Sequence, residues 1–131
     1  MRLQDKVVIV TGSCTGIGKA IVRRCVAEGA SVVINGVQQD LAEELVRELG
    51  DDKAASHVED LSHDECQQRL VDLATQKFGK LDAVVNNAAM IATGNIHTTN
   101  SAFFRQMLEV NTLAPFRLIQ AALPQLRESR G

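Results

Sequence analysis

Residues 6–20 read Lys-Val-Val-Ile-Val-Thr-Gly-Ser-Cys-Thr-Gly-Ile-Gly-Lys-Ala: a short apolar strand, a turn with glycines at 12, 16 and 18, then the start of an amphipathic helix. No other feature restricts the fold as much. A continuous apolar run at 6–10 suits a strand covered on both faces, as in a parallel sheet. Glycines let the turn adopt positive φ and let an anion lie against bare backbone. The helix that follows aims its unpaired N–H groups, and about half a positive charge, at that anion. The order therefore predicts a phosphate cradle built from Gly12, Ser13, Cys14, Thr15, Gly16, Ile17 and Gly18.

Spacing rules out a nucleoside-triphosphate loop, which needs Gly, four residues, then Gly-Lys-Ser/Thr. Here Ser13 stands five residues before Gly18, and Ala20 follows Lys19. A dinucleotide fits better, because the unit runs on into a second strand whose end, Asn35-Gly36, lies near the place of a ribose-binding group.

Strand-like and helix-like periods alternate along the whole chain, predicting an α/β fold with a doubly wound parallel sheet. A helix over 17–27 places Ile17, Ile21, Cys25 and Val26 on its buried stripe. A strand over 31–35 precedes a helix with Leu41, Leu45 and Leu49 inward and Glu43, Glu44, Arg47 and Glu48 outward. A weaker strand over 54–58 leads to Ser62-His63-Asp64-Glu65, which reads as a capping box for a helix burying Cys66, Leu70, Leu73 and Ala74. A fourth strand over 81–85 ends in Asn86-Asn87-Ala88-Ala89, at the edge where open α/β sheets place ligands. Residues 101–126 then read as one long helix, apolar nearly all round, that needs cover on more than one side.

The 131 residues are enough for one domain with a real core. A net charge of -2 and no basic cluster interleaved with aromatics argue against nucleic acid or an anionic membrane as partner. No long apolar stretch opens the chain, so a cytoplasmic address is expected. Cys14, Cys25 and Cys66 have neither zinc nor disulfide spacing, and His57, His63 and His97 share no ligand spacing, so no metal site is expected. Cys14 reads as an inert thiol; Lys19 reads equally as a phosphate partner or as part of a solvated face.

Taken together, Thr11-Gly12-x-x-x-Gly16-Ile17-Gly18, Asp60-Leu61 after the third strand, Asn86-Asn87-Ala88 after the fourth and Asn111 in the long helix resemble the N-terminal half of the short-chain dehydrogenase/reductase family. The resemblance spans essentially the whole chain. It implies a single NAD(P)-binding Rossmann domain over 1–131, incomplete at its C-terminal end, in an oxidoreductase that moves hydride between a nicotinamide and an alcohol or carbonyl substrate.

The resemblance also implies residue roles. Asp60 and Leu61 would meet the adenine ring, although Asp60 also reads as a residue that simply ends its strand. Asn86 would tie the central strands through its amide, while the backbone of Asn87, Ala88 and Ala89 would border the nicotinamide ribose; Ala89 stands where the family usually has glycine. Asn111 would serve catalysis through a proton-relay water. Its own chemistry agrees with that, since Pro115 four residues on has no N–H for the Asn111 carbonyl, although a simple helix kink would need the same pair. The family's catalytic tyrosine has no counterpart here, for the chain contains no tyrosine.

Gly36, at the end of the second strand, offers no acid to repel a 2′-phosphate, and Val37 offers no cation to hold one, which leaves NAD or NADP with a weak lean to NADP. A catalytically silent dinucleotide-binding or interaction module is the competing reading. The unpaired fourth strand and the apolar long helix predict a homo-oligomer, a dimer or tetramer.

Overall fold

The structure, a computed structural model, describes residues 1–131. Four strands, β1 (Val7–Val10), β2 (Ser31–Gly36), β3 (Ala54–Val58) and β4 (Ala83–Val85), form one parallel sheet in the order β3-β2-β1-β4. Helices α1 (Gly16–Ala27), α2 (Gln39–Leu49), α3 (Cys66–Phe78), α4 (Ser101–Leu108) and α5 (Ala114–Ser129) complete the fold. The chain winds outward from β1 to β3, then returns to lay β4 on the other side of β1. That reversal makes the sheet doubly wound, as expected from the alternation.

Two cores follow from the period-two alternation of the strands. Val8, Val10, Val32 and Ile34 pack with Val22 of α1 and Leu45 of α2 on one face. Val7, Ile9 and Val33 pack with Leu70 and Ala74 of α3 and Leu118 of α5 on the other. At the base of the sheet, Asp82 accepts the Val7 N–H at 2.8 Å and lies 3.2 Å from Lys6 Nζ and 3.0 Å from Lys80 Nζ, pinning the approach to β4 against the start of β1.

Four local expectations need correction. The buried stripe of α1 is Gly18, Val22 and Cys25, whereas Ile17 is 76% exposed because the first turn projects beyond the sheet edge. No capping box opens α3: Ser62 N–H and Oγ both bond Asp60 Oδ1, at 2.8 and 2.7 Å, so Ser62 belongs to the turn that ends β3. β4 starts at Ala83 rather than residue 81, although Leu81 and Asp82 are buried ahead of it.

The long helix is two. α4, opened by Asn100 Oδ1 accepting the Phe103 N–H at 2.8 Å, runs into a π turn over Glu109–Leu113, where the Ala114 N–H reaches back to the Glu109 carbonyl. Pro115 follows directly, and a proline that cannot donate suits a shifted bonding frame. No helix of the structure is long and apolar enough to cross a membrane.

Candidate functional site

All four strands point the same way, so the segments leaving β1, β2, β3 and β4 converge at one edge. They enclose an open cleft of about 570 Å³ above the point where the strand order reverses, the place where open α/β sheets bind ligands.

Hydrogen bonds sew the β1 turn to the segment after β4. Thr11 Oγ1 accepts the Asn87 and Ala88 N–H groups at 3.1 and 3.0 Å, and Asn87 Nδ2 donates to the Thr11 and Gly12 carbonyls, both at 3.0 Å. The tie expected of Asn86 is thus made by Asn87; Asn86 points to solvent. Gly12 and Gly16 hold φ of +60° and +53°, and a Cβ on Gly12 would stand 2.9 Å from Ala88 Cα. A Cβ on Gly18 would overlap the Gly12 carbonyl and reach 2.6 Å from Asn87 Nδ2. Here α1 meets the turn backbone to backbone.

Helix α1 is open at its N-terminus. Thr15 is extended and makes no side-chain cap, and the first turn has no acidic residue. The Lys19 N–H donates to the Thr15 carbonyl at 3.1 Å, so the amides of Gly16, Ile17 and Gly18 precede the first helical bond. Such amides, at the positive end of the helix dipole, suit an anion.

Ten of the residues singled out from sequence border the cleft: Gly12, Thr15, Gly16, Ile17, Gly36, Asp60, Leu61, Asn87, Ala88 and Ala89. Ser13, Cys14 and Gly18 stand behind it. Ser13 turns inward, its Oγ donating to the Val10 carbonyl at 2.7 Å and accepting the Asn35 N–H at 3.1 Å. Cys14 is buried, and burial pushes its thiol up despite the opposing pull of Lys19. Asp60 ends its strand, with Ser62 occupying Oδ1 and the Ser62 N–H holding the carboxyl below the ordinary range, and the residue also borders the cleft.

Asn111 does not border the cleft but grips a residue that does. Its Oδ1 accepts the Met90 N–H at 2.7 Å and its Nδ2 donates to the Met90 carbonyl at 2.8 Å. Gln106 and Val110, from the same helical stretch, complete that wall with Met90 and Ile91. No local pattern marks these four, because they come together only where α4 and the π turn approach the segment after β4.

Asn35, singled out from sequence only as part of the second strand's end, and Glu59, which was missed, also border the cleft. The buried Asn35 side chain accepts the Gly12 N–H at 3.4 Å and donates to the His57 and Glu59 carbonyls at 3.3 and 3.1 Å, linking three strand ends. A polar residue closing an apolar strand was the available signal. Glu59 lies 2.6 Å from His57 Nε2 and 2.8 Å from Arg69; those bonds, His57 first, hold its carboxyl low. His57, Glu59 and Cys66 bring their donor atoms within 4.8 Å of one another, a grouping that spacing did not reveal. The Cys66 thiol is pushed up to about 12, by burial first and then by Glu59.

Comparison with known proteins accords with this geometry. The family model described as short chain dehydrogenase matches residues 6–131. The chain is 41% identical to an L-fucose dehydrogenase of Mus musculus, covering 99% of this chain and 47% of that protein. It superposes with a TM-score of 0.92, at 25% identity, on a short-chain dehydrogenase/reductase (glucose/ribitol dehydrogenase) from Brucella melitensis, covering 96% of this chain and 54% of the other. A blue fluorescent protein from a metagenomic library, solved in complex with NADPH, superposes with a TM-score of 0.90 at 32% identity, over 96% and 53%. The chain spans about half the length of the curated relatives it matches.

Proposed function

The chain belongs to the short chain dehydrogenase family, and from that membership we propose that it forms the coenzyme-binding part of an NAD(P)-dependent oxidoreductase acting on an alcohol or carbonyl substrate. One observation carries the reading: the uncapped first turn of α1, with Gly16 and Ile17 on the rim, meets a cleft framed by all four strand ends. When bound, the nicotinamide supplies the hydride donor or acceptor.

This chain's residues do the holding. The amides of Gly16 and Ile17 bind the diphosphate, with Gly12 leaving the backbone bare for close approach. Asp60 and the Leu61 N–H address the adenine, and the backbone of Asn87, Ala88 and Ala89 borders the nicotinamide ribose. The Asn111 carbonyl, denied a Pro115 N–H, is the acceptor we assign to a proton-relay water, while its carboxamide positions Met90. Gly36 and Val37 leave the adenosine ribose without a repelling acid, which favours NADP; the NADPH carried by a solved relative supports the same choice.

Calorimetric titration of NAD(H) and NADP(H) into the intact protein tests the reading. Saturable binding with NADP(H) favoured is expected, and no response to any of the four defeats it.

Phe104, Phe116, Ile119 and Leu123 expose apolar surface on α4 and α5, supporting self-association through these helices. Three free, buried cysteines suit a reducing, cytoplasmic compartment.

A further inference from the structure

We infer that Cys14 and Gly36 are a packed pair that sets coenzyme choice: the Cys14 side chain fills the space from which any side chain at position 36 would start, and so keeps a carboxylate away from the adenosine ribose. The inference rests on the dinucleotide reading of the cleft and adds the residue that enforces its specificity.

Gly36 is the last residue of β2 and borders the cleft. Its φ lies outside the left-handed region, so the backbone does not require glycine there. Space does. A Cβ on Gly36 would overlap Cys14 Sγ and stand 3.1 Å from Cys14 Cβ. Moving the sulfur would disturb the core, since Cys14 is 4% exposed and belongs to the apolar cluster that includes Val10, Val22 and Ile34. Alternation along β2 explains the encounter: Val32 and Ile34 face this cluster, and position 36 falls on the same side.

An acid at the end of the second strand would bond the ribose hydroxyls and repel a 2′-phosphate. Here the first atom of such a side chain is already displaced by a cysteine 22 positions earlier. Coenzyme preference therefore cannot be rewritten at position 36 unless position 14 is reduced as well. Of the nearby acids, Asp40 is exposed at the start of α2, on a helix rather than at the strand end, and Glu59 on the cleft is engaged by His57 and Arg69.

The test is a double-mutant cycle in the intact protein with Cys14→Ala, Gly36→Asp and their combination, read by thermal melting and by titration of NADH and NADPH. Gly36→Asp alone should lower the melting temperature, and Cys14→Ala should recover much of that loss. The combined variant should shift the affinity ratio toward NADH by about tenfold or more, the size of a charge-assisted hydrogen bond gained at the ribose. Should Gly36→Asp not fold in either background, Gly36→Ala in both gives the same melting comparison. Additive melting losses, an unshifted ratio in the combined variant, or a wild-type preference for NADH would overturn the pair. Wild-type protein that binds neither coenzyme would instead defeat the functional reading, while the melting cycle still decides whether the two positions share one space.

Discussion

The carboxamide of Asn111 holds the backbone of Met90 at two points, accepting its N–H at 2.7 Å and donating to its carbonyl at 2.8 Å. The contact bridges the π turn and the segment after β4, two parts of the chain that no strand or helix bond joins. Asn111→Ala removes both bonds; being exposed, they contribute about 1 kcal/mol together. Coenzyme affinity should fall several-fold with only a small loss of melting temperature, and amide exchange at Met90 should accelerate. An unchanged Met90 exchange rate would refute the positioning role.

Gly16 and Gly18 separate two reasons for glycine in one turn. Gly16 has a left-handed φ but open space around it, so Gly16→Ala should cost about 1 kcal/mol of backbone strain. Gly18 is helical, yet its missing Cβ makes room for the Gly12 carbonyl and Asn87 Nδ2, so Gly18→Ala should cost about 3 kcal/mol and weaken coenzyme binding far more. Equal losses in urea unfolding would contradict the distinction.

Asp82 links stability to pH. Burial alone would raise its carboxyl, but the Val7 N–H and then Lys80 and Lys6 together outweigh that and hold it below the ordinary 3.8. A carboxyl depressed in the folded state contributes stability above pH 3.8 and loses it as the pH falls through its folded value. Asp82→Asn should lower stability near neutrality by about 1–2 kcal/mol and flatten the fall in acid. Denaturant midpoints measured from pH 7 down to pH 2 check both; parallel curves for the two proteins would be the failing result.

The stripe of Phe116, Ile119 and Leu123 on α5 is 58, 49 and 40% exposed. Ile119→Lys should break self-association while leaving the fold intact, because a surface substitution away from the core changes stability by about 0.5 kcal/mol or less. Sedimentation velocity should show an oligomer converted to monomer. Wild-type protein that sediments as a monomer at high concentration would refute the interface.

The order of strands and helices, the doubly wound parallel sheet and the glycine turn of residues 12–18 were legible in the chain. Each depends on short-range physics: apolar periodicity chooses strand or helix, and left-handed backbone at Gly12 and Gly16 demands glycine wherever the turn is placed. Even the disturbance at Asn111 could be read from Pro115, because a missing N–H acts four residues away.

Other features were decided only when distant segments met. Asn87 rather than Asn86 ties the strands, since the direction in which the chain leaves β4 selects the side chain that faces Thr11. Ser62 gave its hydrogen bonds to Asp60 instead of capping α3. Gly36 looked like a missing acid and proved to lie against Cys14, a neighbour across two strand ends that no periodicity can reveal. Local sequence determined the elements and the cradle by backbone preference; tertiary packing decided which side chains point into the cleft, because steric exclusion acts between residues far apart in the chain.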